Sequence, residues 1–210
     1  MTTLQSEITS FYASFSKQAK EWVDNNQKEK VLAYCLKERA WKDAMARERF
    51  VPVDKSSIKR NAEKIRMLLQ SEIINNTCEI VSNFDKWHDK MCCNTDLGMR
   101  YGVWQKFINI AFKNFYCVYN ISDKKMFSEF ADIWNDCHFT LDSYTLQWYD
   151  ELPIDAKTVC LKGVNWNNIS RDTYLAIQCD VKTYIQKEKG MSPFDYEFII
   201  WPEIIERNKK

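Results

Sequence analysis

The chain of 210 residues is long enough for one large domain and too short for several independently folded modules. Its formal net charge of +1 does not indicate a nucleic-acid-binding protein, although a local basic stripe would still allow one. Hydrophobic residues make up 45% of the chain, but four glycines and four prolines are too few for the many turns of a β-sandwich.

Cysteine usage and apolar runs indicate where the protein works. The chain has eight cysteines, but it begins with no apolar signal segment, so we expect reduced thiols rather than a disulfide framework. No apolar run approaches the roughly 20 residues of a membrane span. We therefore expect a cytoplasmic protein that does not bind a membrane.

Apolar residues recur with helical spacing along most of the chain, which predicts an all-α fold. Helices are expected over residues 2–23, 28–50, 57–73, 78–84 and 87–93. Further helices are expected to begin near Tyr101, Asp123, Asp142, Ser170 and Pro193. This pattern predicts a single domain, 1–210, of about eight to ten helices, with 1–96 and 97–210 as candidate lobes around a central buried helix.

The helix expected from Tyr101 carries polar side chains among apolar ones. Lys106, Asn109 and Lys113 have i, i+3, i+7 spacing and therefore share one face. Partial burial and the like charge of Lys113 would both lower the pKa of the Lys106 amine from about 10.4, as a nucleophilic amine requires. The alternative is a lysine that extends its amine into water.

Asp142 stands in the sequence Thr-Leu-Asp-Ser-Tyr, where the next helix is expected to begin. This position predicts an N-cap, which stabilises a helix by about 1 kcal/mol. A carboxylate at a helix start can also stabilise positive charge that develops during a reaction. The two roles are compatible.

These two segments together resemble a known enzyme family. The pattern G-x-x-Q-K-F-I-N-I-A-F-K-N-F-Y-C, followed by C-H-F-T-L-D-S-Y, resembles the helix-hairpin-helix DNA glycosylases, nearest to their archaeal 8-oxoguanine branch. The resemblance covers about residues 98–148, and the hairpin reads L-G-M-R-Y-G where the family has L-x-G-x-G. It implies an enzyme that excises a modified or damaged base, with Lys106 as the amine nucleophile and Asp142 as the catalytic carboxylate, and with AP-lyase activity as an option.

Such an enzyme binds duplex DNA and flips the target base into a pocket. Stacking rings and amide or imidazole side chains near the proposed centre are expected to form that pocket: Trp104, Gln105, Asn109, His138 and Trp148. Backbone amides at a helix start and nearby basic side chains are expected to contact the DNA backbone: Gly98, Arg100, Gly102, Lys59 and Arg60. For the basic residues of the third helix, a solvated surface is the alternative.

Other chemistry has less support. His88, Cys92 and Cys93 match no structural zinc spacing, and buried free thiols are the preferred interpretation. Walker A, G-x-S-x-G and G-x-G-x-x-G motifs do not occur, so neither a cofactor nor a metal is predicted. Two alternatives to a glycosylase remain: a non-enzymatic helical module that binds protein or nucleic acid, for example in bacterial defence, and a glycosylase-like scaffold that recognises a base without excising it.

Overall fold

A computed structural model of the protein describes residues 3–45 and 55–207, and for residues 55–60 it describes the backbone alone. Within these ranges the chain forms eleven α-helices and no strand, so the predicted all-α class is confirmed. The helices are α1 (Leu4–Ala13), α2 (Lys17–Asp24), α3 (Lys28–Tyr34), α4 (Trp41–Met45), α5 (Lys55–Asn75), α6 (Thr77–Ser82), α7 (Phe84–Cys92), α8 (Tyr101–Ile121), α9 (Ser143–Asp150), α10 (Arg171–Lys189) and α11 (Pro193–Arg207).

The first predicted helix, 2–23, is divided into α1 and α2. Ser14 ends α1, and the side chain of Ser16 accepts a hydrogen bond from the backbone N–H of Ala19 to begin α2. A serine hydroxyl that caps a helix start competes with continuation of the preceding helix. This division is one reason why the structure has more helices than expected.

The second predicted helix runs from α3 through π-helical turns at Cys35–Ala40 into α4. Its inward face is buried, as the helical spacing predicted, and it packs against α8. The predicted continuation from residue 46 to residue 50 lies outside the described residues.

The prediction of a helix that begins near Asp123 is wrong. The structure has only a 3-10 turn at Ser128–Ile133, because Lys125 and Phe127 adopt left-handed backbone angles, with φ of 49° and 69°. Phe127 is buried, and its ring centroid lies 4.6 Å from that of Phe115 in α8. Tertiary packing therefore overrides the local helical pattern here.

Helix α8 lies at the centre of the structure. Every residue from Gly102 to Val118 is buried, as expected for a helix that is covered on all sides. Helices α1, α4 and α7 pack on it, and so does a 3-10 turn at Trp166–Asn168. The lysines of this helix therefore project into the protein interior. The lobe boundary between residues 96 and 97 stays a prediction.

The last third of the chain returns to the centre of the structure. Residues 152–168 are irregular, with short 3-10 turns at Ile154–Ala156 and Trp166–Asn168, and α10 ends at Gly190 with φ of 65°. Helix α11 then packs against α1, α9 and α10. Across residues 3–45 and 55–207, no helix has both the length and the apolar character that crossing a bilayer requires.

Candidate functional site

Lys106 and Asp142 form a buried ion pair. Lys106 lies in the second turn of α8, and its Nζ is 3.4 Å from Oδ2 of Asp142. The two residues are only 4% and 2% exposed. The alternative of a lysine that extends into water is therefore wrong, and the structure brings together the two side chains that the sequence singled out.

The two carboxylate oxygens of Asp142 have different partners. Oδ1 accepts hydrogen bonds from the backbone N–H groups of Tyr144 and Thr145, at 2.8 and 3.2 Å, while Oδ2 faces the Lys106 amine. The Thr145 hydroxyl accepts from the N–H of Asp142 at 2.7 Å, which completes a capping box. The predicted N-cap is confirmed. Because Oδ1 caps α9, the carboxylate is held in a fixed orientation towards the amine.

Trp166 covers the other side of the Lys106 amine. The Nζ atom lies 4.7 Å from the centroid of the Trp166 ring, within the range of a cation–π contact. This approach depends on Gly102, because a Cβ at that position would stand 1.9 Å from the carbonyl oxygen of Trp166. The glycine thus allows the 166–168 turn to pack directly on the first turn of α8.

A second buried ion pair lies on the same face of α8. Lys113 Nζ is 3.0 Å from Oε1 of Glu197 in α11, and the two residues are 4% and 2% exposed. Oε2 of Glu197 accepts a hydrogen bond of 2.8 Å from the backbone N–H of Thr140. The Lys113 ammonium also lies 4.7 Å from the ring centroid of Phe198. Both oxygens of this carboxylate therefore have a protein partner.

The two pairs line one cavity of about 180 Å³. Its lining residues are Phe11, Asp43, Lys106, Ile110, Lys113, Thr140, Asp142, Glu197 and Trp201. Two lysines are matched by two buried carboxylates, while Asp43 is exposed and adds a negative charge. The buried lining of the cavity is therefore polar and carries two positive and two negative charges. The aromatic residues Phe11 and Trp201 form part of its walls.

Thr140, one of the residues that line this cavity, has an unpaired hydroxyl. The residue is 4% exposed, and its Oγ1 is buried without a hydrogen-bond partner among the described residues. Buried polar atoms nearly always have a partner, so an exception requires an explanation.

The five side chains predicted to form the base pocket lie outside the lining of this cavity, and their role in base binding stays a prediction. None of Trp104, Gln105, Asn109, His138 and Trp148 is among the described residues that line the cavity. The indole N–H of Trp104 donates to the carbonyl of Asn94 at 2.7 Å, and Trp148 packs 5.1 Å from the ring of Phe139. These rings belong to the core.

Gln105 and Asn109 support the site instead of lining it. The Gln105 side chain donates to the carbonyl of Leu141 at 2.8 Å and accepts from its N–H at 3.3 Å. Asn109 donates to Gln105 at 3.2 Å and to the Tyr174 hydroxyl at 3.1 Å. Because Leu141 precedes Asp142, these amides fix the backbone that carries the carboxylate.

Two histidines extend this polar network away from the cavity. His88 Nε2 lies 2.9 Å from Oδ1 of Asn109, and burial holds the pKa of His88 well below its usual value. His138 bridges the Tyr174 hydroxyl, at 2.9 Å, and the carboxylate of Asp85, at 2.8 Å. The hydrogen bond from His138 lowers the pKa of Asp85. These contacts hold α7, α8 and α10 together.

The thiol next to His88 belongs to Cys92, whose Sγ lies 3.6 Å from Nδ1 of His88. Burial raises the pKa of Cys92 well above the usual thiol value, which keeps the sulfur protonated. In the part of the chain that the structure describes, His, Cys, Asp and Glu side chains form no group of three placed to hold a metal ion.

The residues at the start of α8 that were predicted to contact the DNA backbone include two with close contacts within the protein, and a role in DNA binding stays a prediction for them. Gly98 is an exposed turn residue with φ of 76°, but Gly102 is buried beneath the carbonyl of Trp166, and Arg100 donates to the side chain of Asn168. The 166–168 turn therefore packs against both Gly102 and Arg100. The side chains of Lys59 and Arg60, in α5, lie outside the described residues.

Several residues of the site were not predicted from the sequence: Asp43, Thr140, Glu197 and Trp201 line the cavity, and Trp166 covers the Lys106 amine. One signal was available in α11, whose Phe194, Phe198 and Trp201 define an apolar face. Glu197 lies on that face, and a carboxylate among apolar positions indicates a buried partner.

Comparison of the chain with protein-family models, with curated proteins and with solved structures finds no significant match in any of the three.

Proposed function

We propose that the protein is a DNA glycosylase-like enzyme that excises a modified or damaged base, with Lys106 as the nucleophile and Asp142 as the catalytic carboxylate. The observation that carries the proposal is the 3.4 Å separation between the amine and the carboxylate at one polar cavity. A buried amine beside an oriented carboxylate that can accept its proton is one arrangement that supports nucleophilic catalysis by lysine.

The chemistry begins with loss of a proton from Lys106, for which Asp142 Oδ2 is a neighbouring acceptor. The free amine attacks C1′ of the sugar, the bond from C1′ to the base breaks, and its electron pair leaves with the base. Asp142 stabilises the positive charge that develops on the sugar and returns a proton to the leaving base. The bond from C1′ to the ring oxygen then breaks, one of the two protons on the amine nitrogen moves to that oxygen, and a protonated Schiff base remains.

The size of the cavity supports a ligand of one ring. A cavity of about 150 Å³ holds a benzene molecule, and the volume here is about 180 Å³. The rings of Phe11 and Trp201 provide apolar surface for stacking.

A trapping experiment tests this proposal. Duplexes that each contain one modified base are incubated with the protein and sodium borohydride, which reduces a Schiff base to a stable adduct. We expect a covalent protein–DNA adduct that Lys106→Gln abolishes and Asp142→Asn weakens. Lys162→Gln, at an exposed lysine outside the cavity lining, is the control and should still be trapped.

Base release is measured on the same duplexes, because an enzyme that activates water would release base without an adduct. If no duplex yields either an adduct or a free base, the glycosylase proposal is refuted. Duplex binding that persists in that case would support the alternative of a non-enzymatic module.

A further inference from the structure

The part of the cavity around Lys113 has no role in the proposed chemistry. Lys113 follows Lys106 by seven residues, which places it about 10 Å further along the axis of α8. There it meets Glu197 and Thr140, two residues that come from different parts of the chain. These three side chains are available to recognise a ligand whose reactive atom lies at Lys106.

The Thr140 hydroxyl is the strongest indication of recognition. It has no hydrogen-bond partner among the described residues although it is buried, and leaving such a group unpaired has a cost in free energy. Its own backbone N–H, by contrast, is bonded to Glu197. A ligand acceptor placed beside this hydroxyl would remove the cost.

The neighbouring charged groups have spare capacity for the same ligand. An ammonium has three donors, and Lys113 uses one of them on Glu197 at 3.0 Å. Each oxygen of a carboxylate accepts two hydrogen bonds, and each oxygen of Glu197 has one protein donor. The site therefore offers donors from Lys113 and Thr140 beside an acceptor from Glu197.

The charges around the cavity disfavour an anionic ligand. Both buried lysines already have a carboxylate within 3.4 Å, and Asp43 adds a negative charge at the exposed side. A phosphate or carboxylate ligand would leave an excess of negative charge in a buried site, which is strongly unfavourable.

We propose that Lys113, Glu197 and Thr140 bind the N–H and C=O edge of a neutral, planar lactam ring and discriminate against anions. The ring carbonyl accepts from Thr140 and Lys113, its N–H donates to Glu197, and the faces of the ring contact Phe11 and Trp201. The inference rests on the proposed function in one respect: the lactam edge is taken to belong to the base that the proposed enzyme excises, which binds in the same cavity.

Binding of small probes tests the assignment directly. The probes are 2-pyridone, which has the lactam edge, N-methyl-2-pyridone, which lacks the N–H, and benzoate, a ring of similar size with a negative charge. Dissociation constants are measured by isothermal titration calorimetry with the full chain. We expect 2-pyridone to bind about tenfold or more tightly than either of the other two, since one hydrogen bond of about 1.4 kcal/mol corresponds to a factor of ten.

Two variants at one position separate recognition from folding. Thr140→Val keeps the shape of the side chain and removes the hydroxyl, so it should weaken 2-pyridone binding about tenfold. Thr140→Ser keeps the hydroxyl and should bind 2-pyridone within about twofold of the unaltered protein. Circular dichroism melts show whether each variant is folded.

Three results would overturn the proposal: no binding of 2-pyridone, equal binding of benzoate, or unchanged binding by Thr140→Val. Borohydride trapping distinguishes these failures from failure of the proposed function. If 2-pyridone binding depends on Thr140 but no adduct forms, recognition stands and the glycosylase proposal falls. If Thr140→Val forms adducts at an unchanged rate and binds 2-pyridone normally, the glycosylase proposal stands and the lactam proposal falls.

Discussion

Removing one partner of the Lys113–Glu197 pair should cost far more stability than removing both charges. Each residue is at least 96% buried, and the charged atoms are 3.0 Å apart. Breaking a buried pair typically costs about 3–5 kcal/mol, because the remaining charge has no compensation. In Lys113→Met, Glu197 keeps the hydrogen bond from Thr140, so we expect a loss near the lower limit, about 3 kcal/mol.

The other single variant, Glu197→Gln, should cost a similar amount. The Lys113 ammonium keeps its contacts with the rings of Phe198 and Trp201, at 4.7 and 5.8 Å, but it loses its counter-charge. In the double variant Lys113→Met/Glu197→Gln, the glutamine still accepts from Thr140, and the methionine packs against the same rings. We expect the double variant to lose no more than about 1 kcal/mol.

Urea unfolding of the four proteins provides the free energies of unfolding, with the m-value as a check that the transition stays cooperative. The two single losses and the double loss then give a coupling energy of about 5 kcal/mol. Additive losses, in which the double variant loses the sum of the single variants, would show that the two charges do not stabilise each other.

Three further predictions concern the rest of the structure. Gly102→Ala should lower the free energy of unfolding by about 2 kcal/mol in urea melts, because the added methyl group displaces the backbone of Trp166. Because burial holds the pKa of His88 below 6.5, the unfolded chain takes up a proton that the folded one resists. Stability should therefore fall below about pH 6.5, by up to about 1.4 kcal/mol per pH unit, and His88→Gln should reduce that slope in urea melts. A thiol reagent should label four cysteines in the native protein and the other four only in denaturant, as counted by mass spectrometry; the exposed four are Cys78, Cys93, Cys160 and Cys179.

The parts of the structure that sequence predicted well depend on local patterns. The extent of α8 follows from an apolar stretch that is buried on all sides, and the Asp142 cap follows from a short polar sequence at a helix start. Whether the Lys106 amine is buried or extends into water stayed open from the sequence, because helical spacing does not give the direction of a long side chain.

The parts that it missed depend on position around a helix and on distant packing. Trp104 and Gln105 are close to Lys106 in sequence, but successive residues of an α-helix point about 100° apart, so neither joins it in the cavity. Glu197 reaches Lys113 from 84 positions away. No local pattern specifies that α11 returns to this face of α8.

The location of the charged groups argues for function over stability. Buried ion pairs are weak contributors to stability, and apolar side chains of similar size often serve a core as well or better. Here two such pairs and an unpaired hydroxyl surround one cavity, and their carboxylates come from the start of α9 and from the middle of α11. The site is therefore complete only when the chain beyond residue 140 has packed against α8. A ligand that binds the completed cavity must then stabilise the packing of α9 and α11, by an amount set by its concentration relative to its dissociation constant.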